Sequence, residues 1–262
     1  MDPPGSVKLT FLGTGTSFGI PVVGCRCDVC TSDDPRDRRT RHGAVVELDE
    51  GRLLVDTPPE LLSAGVERVD AVWFTHAHAD HVHGIDDLRV FTALAGRDLP
   101  VYVPTAYRDT LFRRFRYIFD ETVRPPDGTS KPDVRLRPFP AGQPLEILGR
   151  VVRPLAVPHG PLTVYGFRVG GLGYITDGKR LPRDTLEALR GVDVLVLNAL
   201  WYGNPHPTHF NVEEAVAAAG RVGARRTYLT HMTHHVGHEE LLERLPRGIE
   251  PAYDGLVVEV QA

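Results

Sequence analysis

Three imidazoles and one carboxylate, His76, His78, Asp80 and His81, crowd a short stretch directly after the apolar segment Asp70-Ala71-Val72-Trp73-Phe74-Thr75. The apolar segment reads as a buried strand. A strand that ends in a donor-rich loop holds those donors on a rigid edge and leaves their tips free. Imidazole and carboxylate at this density are what one or two divalent transition metals require. A pair of ions needs more donors than this run supplies, and the chain offers them at matching places. Val151-Val152-Arg153-Pro154-Leu155-Ala156-Val157-Pro158 leads into His159, Leu172-Gly173-Tyr174-Ile175-Thr176 into Asp177, and Arg226-Thr227-Tyr228-Leu229-Thr230 into His231. One His or Asp after a strand is ordinarily a turn residue or a cap. Four strand ends, each closing on a donor of suitable chemistry, describe a site.

This pattern resembles the metallo-β-lactamase fold superfamily of metal-dependent hydrolases, from Phe11-Leu12-Gly13-Thr14-Gly15 to Asp254-Gly255. The resemblance implies one ion on His76, His78 and His159 and a second on Asp80, His81 and His231, with Asp177 bridging both. It implies an α+β fold, a four-layer αββα sandwich, in a single hydrolase domain over residues 1–262. Two ions bridged in this way share a water whose pKa falls toward about 7, so hydroxide forms without a separate base. Asp80 and Asp177 thereby count as catalytic as well as ligating.

Every cysteine in the chain lies in Gly24-Cys25-Arg26-Cys27-Asp28-Val29-Cys30. An odd, tightly clustered count is not a disulfide framework. It reads as free thiols, a redox cluster, or three quarters of a tetrahedral structural zinc site that wants one more donor. The loop Thr230-His231-Met232-Thr233-His234-His235 offers His234, with His235 and His238 as rivals.

Gly13-Thr14-Gly15-Thr16-Ser17, then Cys-x-Cys-x-x-Cys, then the histidine run, is similar to one branch of that superfamily. These are the PhnP-like phosphodiesterases of the carbon–phosphorus lyase pathway, which hydrolyse phosphoribosyl cyclic phosphates. That resemblance implies His234 as the fourth structural ligand and a late-loop histidine as the acid for the leaving group. Asn204-Pro205-His206-Pro207-Thr208-His209-Phe210-Asn211 occupies the place, and His209, just ahead of a helix, is the better match. A histidine near a helix start is ordinarily a hydrogen-bonded surface residue. A helix N-terminus also disfavours a charged imidazole, so an acid there needs a phosphate or carboxylate to hold its proton.

With 262 residues and 42% hydrophobic composition, the chain suits one large α/β domain or two small ones, and no composition shift or repeat divides it. Formal net charge is −4 and pI about 6.3, which argues against a polyanion-binding surface and makes nucleic acid an unexpected partner. No apolar run approaches the ~20 residues that span a bilayer. Met1 to Val7 lacks the regions of a signal peptide. Cysteines used as ligands fit a reducing interior, so the expectation is a cytoplasmic protein with a small-molecule phosphate diester as its partner. A homodimer is open to such a chain.

Strands are expected at Val7–Gly13, Gly43–Leu48, Arg52–Thr57 and Val101–Val103, near Val134, Val151, Val164, Leu172 and Val192, up to Thr230, and at Gly255–Val260. Helices are expected at Pro58–Gly65, Asp80–Ala95, Thr105–Phe119, Asn211–Arg221 and Gly237–Leu245. Within the third helix, Leu111 to Phe119 alternates aromatics with arginines. It reads as a lid offering guanidinium to phosphate, or as an amphipathic helix with a solvated basic face. Thr122 to Asp133 reads as a loop. Trp201-Tyr202 reads as a stacking surface for a base or sugar, or as rim packing.

The leading function is a dinuclear phosphodiesterase acting on a small cyclic or diester phosphate, with zinc or manganese at the pair and one structural zinc. Iron suits the same donors. Ribonuclease Z-like 3′ processing of transfer RNA is the second reading, and a non-hydrolytic PqqB-like binding protein the third. Thioester and β-lactam hydrolysis use the same fold, but the cysteine cluster points away from them.

Overall fold

Two seven-stranded sheets face each other across the centre of the protein. The computed structural model describes residues 6–261, so the reading of Met1 to Val7 falls largely outside the described residues. The first sheet takes β1 (Val7–Gly13), β2 (Gly43–Leu48), β3 (Gly51–Val55), β4 (Ala71–Trp73), β5 (Leu99–Pro104) and β6 (Val134–Phe139). The second takes β7 (Leu145–Ile147), β8 (Arg150–His159), β9 (Leu162–Val169), β10 (Leu172–Tyr174), β11 (Val194–Asn198), β12 (Arg226–Thr230) and β13 (Ile249–Pro251). The last strand, β14 (Val257–Val260), returns to the first sheet beside β1. The helices are α1 (Ala79–Val82), α2 (Leu88–Ala95), α3 (Thr105–Arg114), α4 (Arg116–Phe119), α5 (Arg183–Ala188), α6 (Val212–Val222) and α7 (His238–Arg244).

Strand alternation explains the layering. In β1, Val7, Leu9 and Phe11 point between the sheets and join Val46, Trp73, Phe139, Phe167, Tyr174 and Val196 in the central core. Trp73 stacks on Phe139 of its own sheet with centroids 4.3 Å apart and meets Phe167 of the facing sheet edge-on at 5.4 Å, a contact across the sheets of the kind that anchors a core. β11 is buried along its whole length because helices cover its outer face as the other sheet covers its inner one. Separate apolar clusters join α2 and α3 to the first sheet, and α5, α6 and α7 to the second. The order is helix, sheet, sheet, helix, the α+β sandwich expected from the sequence.

Three expected helices differ in detail. The run from Asp80 to Ala95 is not one helix but α1, a 3₁₀ segment His83–Asp87 and α2. The cause lies at Gly84, whose N–H donates to the Thr57 carbonyl at 2.9 Å and whose backbone sits so close to Pro58 that a Cβ would lie 2.2 Å from its oxygen. Pro58–Gly65 contains only the 3₁₀ turn Leu61–Ala64, ended by Gly65 in the left-handed region at φ 69°. The Thr105–Phe119 helix breaks at Phe115. β7, β13 and α5 lie outside the expected elements, being too short for a periodic pattern to show. α6 starts with a capping box in which the Asn211 side chain accepts from Glu214 N–H at 2.8 Å and Glu214 accepts from Asn211 N–H at 3.1 Å.

Candidate metal centre

β3 to β6 run parallel, as do β10 to β13, and β8 lies parallel to β10 through β9. Their C-terminal ends therefore form one rim, where the chain leaves each strand through a donor: His76 after β4, His159 at the end of β8, Asp177 after β10 and His231 after β12. Only four non-glycine residues among those described have positive φ, and three stand here: Asp56 (59°), Asp177 (56°) and His231 (55°). Such a conformation costs on the order of 1–3 kcal/mol. The strain is concentrated where strand ends turn to present polar side chains.

Asp177 is the centre of the arrangement. Its Oδ2 lies 3.5 Å from His81 Nε2, 3.9 Å from His76 Nε2 and 3.2 Å from His209 Nε2, while its Oδ1 lies 3.4 Å from His231 Nε2. Asp80 Oδ2 lies 3.4 Å from His81 Nε2 and 3.9 Å from His231 Nε2. His76, His78, His159 and Asp177 have ligand atoms within 4.8 Å of one another, and so do Asp80, His81 and His231. Ligands of a tetrahedral zinc are spaced by about 3.4 Å when each lies ~2.05 Å from the metal. Nε2 of His76, Nε2 of His81 and both ring nitrogens of His231 are buried without a hydrogen-bond partner. Each orphan costs roughly 1–3 kcal/mol in an unfilled pocket, and a divalent cation would remove that cost.

The opposite ring nitrogens are held. Asp56 Oδ2 accepts from His81 Nδ1 at 2.7 Å, and Asp56 also accepts from the Thr75 N–H and hydroxyl, each at 2.8 Å. With its proton given to Asp56, the Thr75 oxygen accepts from His76 Nδ1 at 3.0 Å. His159 Nδ1 donates to the Asp177 carbonyl at 2.7 Å. These bonds place the proton on Nδ1 and leave Nε2 basic and aimed inward, the arrangement that orients metal-binding histidines. Burial alone would push the His81 imidazole down, but Asp177, Asp56 and Asp80 pull it well above its ordinary value. Burial likewise opposes ionised Asp177, yet His231 and His81 hold it well below the usual carboxylate range. Burial pushes His231 down to about 4. Asp177, Asp56 and Asp80 thus favour positive charge at His81, which a divalent cation would supply.

His209, on the loop before α6, reaches this centre. Its Nδ1 lies 2.8 Å from Thr208 Oγ1 and 3.3 Å from His206 Nδ1, and its ring stacks on His231 with centroids 5.0 Å apart. Asp177, His209 and His231 also form a group able to hold an ion. Trp201 packs edge-on to His206 and donates its indole N–H to Asn204 O at 2.8 Å, and the Tyr202 ring carries the Arg244 guanidinium 3.5 Å from its centroid. Both aromatics are thereby engaged in holding the loop.

The three cysteines meet His234. Cys25, Cys27 and Cys30 Sγ lie 3.3, 3.4 and 3.6 Å from His234 Nδ1. One imidazole nitrogen has a single proton or lone pair and cannot bond three sulfurs. A tetrahedral zinc between them spaces nitrogen and sulfur by about 3.6 Å. Burial pushes the Cys30 thiol up to about 11, so a cation is what would ionise it. His235 is exposed, and His238 is buried against Tyr253 with its N–H on Asp37. Neither rival joins the cluster.

Two residues of the centre are absent from the sequence reading. Asp56 ends Leu53-Leu54-Val55 just as Asp177 ends its own apolar strand, so that signal was available. His42 lies buried 2.9 Å from the Tyr174 hydroxyl, with its ring 5.4 Å from His81 and 6.0 Å from His231. It precedes β2 in a polar stretch that gives no such signal.

This fold and rim of donors define a class, and the chain belongs to the β-lactamase superfamily domain family, whose profile matches residues 44–232, as a hydrolase of the metallo-β-lactamase fold. Its likeness is to the PhnP-like branch: a crystal structure of a diphosphatase of the PhnP family is 36% identical, covers 98% of this chain and 99% of its own, and superposes with a TM-score of 0.89. Among curated proteins, an octanoyltransferase from Porphyromonas gingivalis is 38% identical over 256 residues, 95% of this chain and 51% of that protein. The chain spans about half the length of that relative. A ribonuclease Z from Methanopyrus kandleri is 30% identical over 277 residues, 87% of this chain and 94% of that protein.

Proposed function

We propose that the protein is a single-domain phosphodiesterase that cleaves a small cyclic or diester phosphate, of the phosphoribosyl 1,2-cyclic phosphate type, at a two-metal centre. The observation that carries this reading is the Asp177 carboxylate, faced by imidazole nitrogens of His76, His81, His209 and His231 at 3.2–3.9 Å. His76, His78 and His159 would hold one ion, Asp80, His81 and His231 the other, with Asp177 between them. Two divalent ions there, zinc or manganese, would neutralise phosphoryl oxygens and bring ionisation of a shared water near neutral pH. The chain's residues supply the rest. Asp56 and Thr75 lock the tautomers of His81 and His76, and the Asp177 carbonyl locks His159. His209 turns Nε2 into the pocket and would give its proton to the departing alkoxide, with Thr208 steadying Nδ1. Cys25, Cys27, Cys30 and His234 would hold a structural zinc in a cluster separate from the donor pocket.

Ribonuclease Z-like action is the second reading, favoured by the Methanopyrus relative. A net charge of −4 disfavours it, because binding a long polyanion draws on released counterions and a basic surface. The octanoyl transfer named for the Porphyromonas protein is not carried over, since half of that protein lies outside the match. The test is a panel of bis(p-nitrophenyl) phosphate, cyclic ribose phosphates and a precursor transfer RNA, assayed with defined zinc or manganese. Turnover of the small diesters is expected. Cleavage confined to the RNA would refute the proposal.

A further inference from the structure

The loop between β11 and α6 is closed at its base and braced across its middle. Leu200 N–H donates to Phe210 O at 3.1 Å, Val212 N–H to Trp201 O at 2.8 Å, and the Asn211 amide to Gly203 O at 2.6 Å. His206 sits in this loop between Pro205 and Pro207, whose rings restrict the backbone on either side of it. Trp201 packs edge-on against the His206 ring, with centroids 5.5 Å apart, and the imidazole is half-buried. No step described so far uses it.

Three polar atoms meet beside it. His206 Nδ1, Thr208 Oγ1 and His209 Nδ1 lie 2.8–3.3 Å from one another. The Thr208 backbone N–H points at His206 Nδ1 from 3.3 Å. A backbone N–H can only donate, so His206 Nδ1 carries a lone pair and the neutral ring holds its proton on Nε2. Were His209 Nδ1 bare as well, two lone pairs would face each other at 3.3 Å. The proton therefore belongs on His209 Nδ1, which donates to Thr208 Oγ1 at 2.8 Å, while the Thr208 hydroxyl donates to His206 Nδ1 at 3.2 Å. With Nδ1 committed, Nε2 is the nitrogen of His209 left to face the pocket, 3.2 Å from Asp177 Oδ2.

We propose that His206 is a positioning residue for His209: its Nδ1 lone pair, acting through the Thr208 hydroxyl, keeps a proton on His209 Nδ1 and so makes Nε2 the acid. The inference rests on the phosphodiesterase reading above. As the Nε2–H bond breaks and the O–H bond of the departing alcohol forms, a ring that keeps its Nδ1 proton is left as neutral imidazole. A ring protonated on Nε2 alone would be left as an imidazolate, which is no product of acid catalysis near neutral pH. Without an acceptor at His206 Nδ1, the Thr208 hydroxyl is free to turn its proton toward His209 and favour that unproductive form.

The zinc-loaded full chain is assayed with adenosine 2′,3′-cyclic phosphate and with bis(p-nitrophenyl) phosphate. His206→Ala should lower kcat and kcat/KM together for the cyclic ester by at least about tenfold, a part of what a general acid supplies, while the nitrophenyl ester loses less than about threefold. His206→Asn, whose amide oxygen stands where Nδ1 does, should recover most of the loss. Added to His209→Ala, His206→Ala should lower the rate no further. Equal losses on both esters, no loss on either, no recovery with His206→Asn, or an additive loss in the double variant overturns the assignment. Proton–nitrogen correlation spectra of the zinc-loaded wild-type chain decide it without turnover. A proton on His209 Nδ1 and none on His206 Nδ1 supports it, and any other placement at these two nitrogens overturns it. Turnover of neither ester by the wild-type chain counts against the diesterase reading instead, and the spectra then decide His206 separately.

Discussion

His231 and His234 stand on one loop, yet His231 meets Asp177 at 3.4 Å while His234 lies 3.3–3.6 Å from three cysteine sulfurs. The residues between them are pinned independently of either cluster. Met232 N–H donates to the Thr14 carbonyl at 2.9 Å, and Thr233 bonds Leu200 O through its N–H and its hydroxyl. The fully buried Arg39 donates to the Thr233 carbonyl at 3.1 Å and pairs with Asp37. One rigid loop therefore serves two sites without making one depend on the other.

Cys27→Ser should accordingly lower zinc content by about one ion per chain, while the folded fraction keeps its two active-site ions. Loss of a structural zinc ligand removes folding energy, and a loss of ~2 kcal/mol in a chain of this size lowers Tm by about 4 °C. Metal analysis and a thermal melt check this. Unchanged zinc and unchanged Tm would rule out the site.

Asp56→Asn tests the support behind His81. The amide keeps an acceptor for Thr75 but can turn a second donor toward His81 Nδ1, which loses its partner at 2.7 Å. Metal affinity should fall about 10- to 100-fold, the usual cost of removing such a partner, with little change in far-ultraviolet circular dichroism. Metal titration by competition with a chelator gives the answer, and wild-type affinity would contradict the role.

The layers and the donors were legible in the sequence for the same reason. Buried strands announce themselves by apolar runs such as Val194–Asn198, and a strand end that closes on His or Asp is visible without coordinates. What stayed hidden depends on contacts distant in sequence. Gly84 breaks the Asp80–Ala95 helix because Pro58 crowds it. His42 reaches the centre only because β2 brings it beside Tyr174. Among rivals of equal chemistry, geometry separates His234 from His235 and His238, since only the first turns toward the sulfurs.

His209→Ala should divide substrates by leaving group. General acid catalysis contributes roughly 10²- to 10⁴-fold where the leaving group is a poor one, and p-nitrophenolate needs far less help. Turnover of a ribosyl or alkyl diester should drop by that much while the nitrophenyl ester loses little, with metal content unchanged. Equal losses on both would assign His209 to phosphate binding, and lost metal would make it a ligand beside Asp177 and His231.

The central claim is that Asp177 joins two ions, and Asp177→Ala tests it most directly when metal stoichiometry and diester turnover are measured on one preparation. On this account the substitution would remove a ligand from each ion and the negative charge between them. The account predicts fewer than two active-site ions per chain and a loss of at least about 10³-fold in turnover, with the cysteine-bound zinc retained. A variant that keeps both ions and a tenth of the wild-type rate would contradict it.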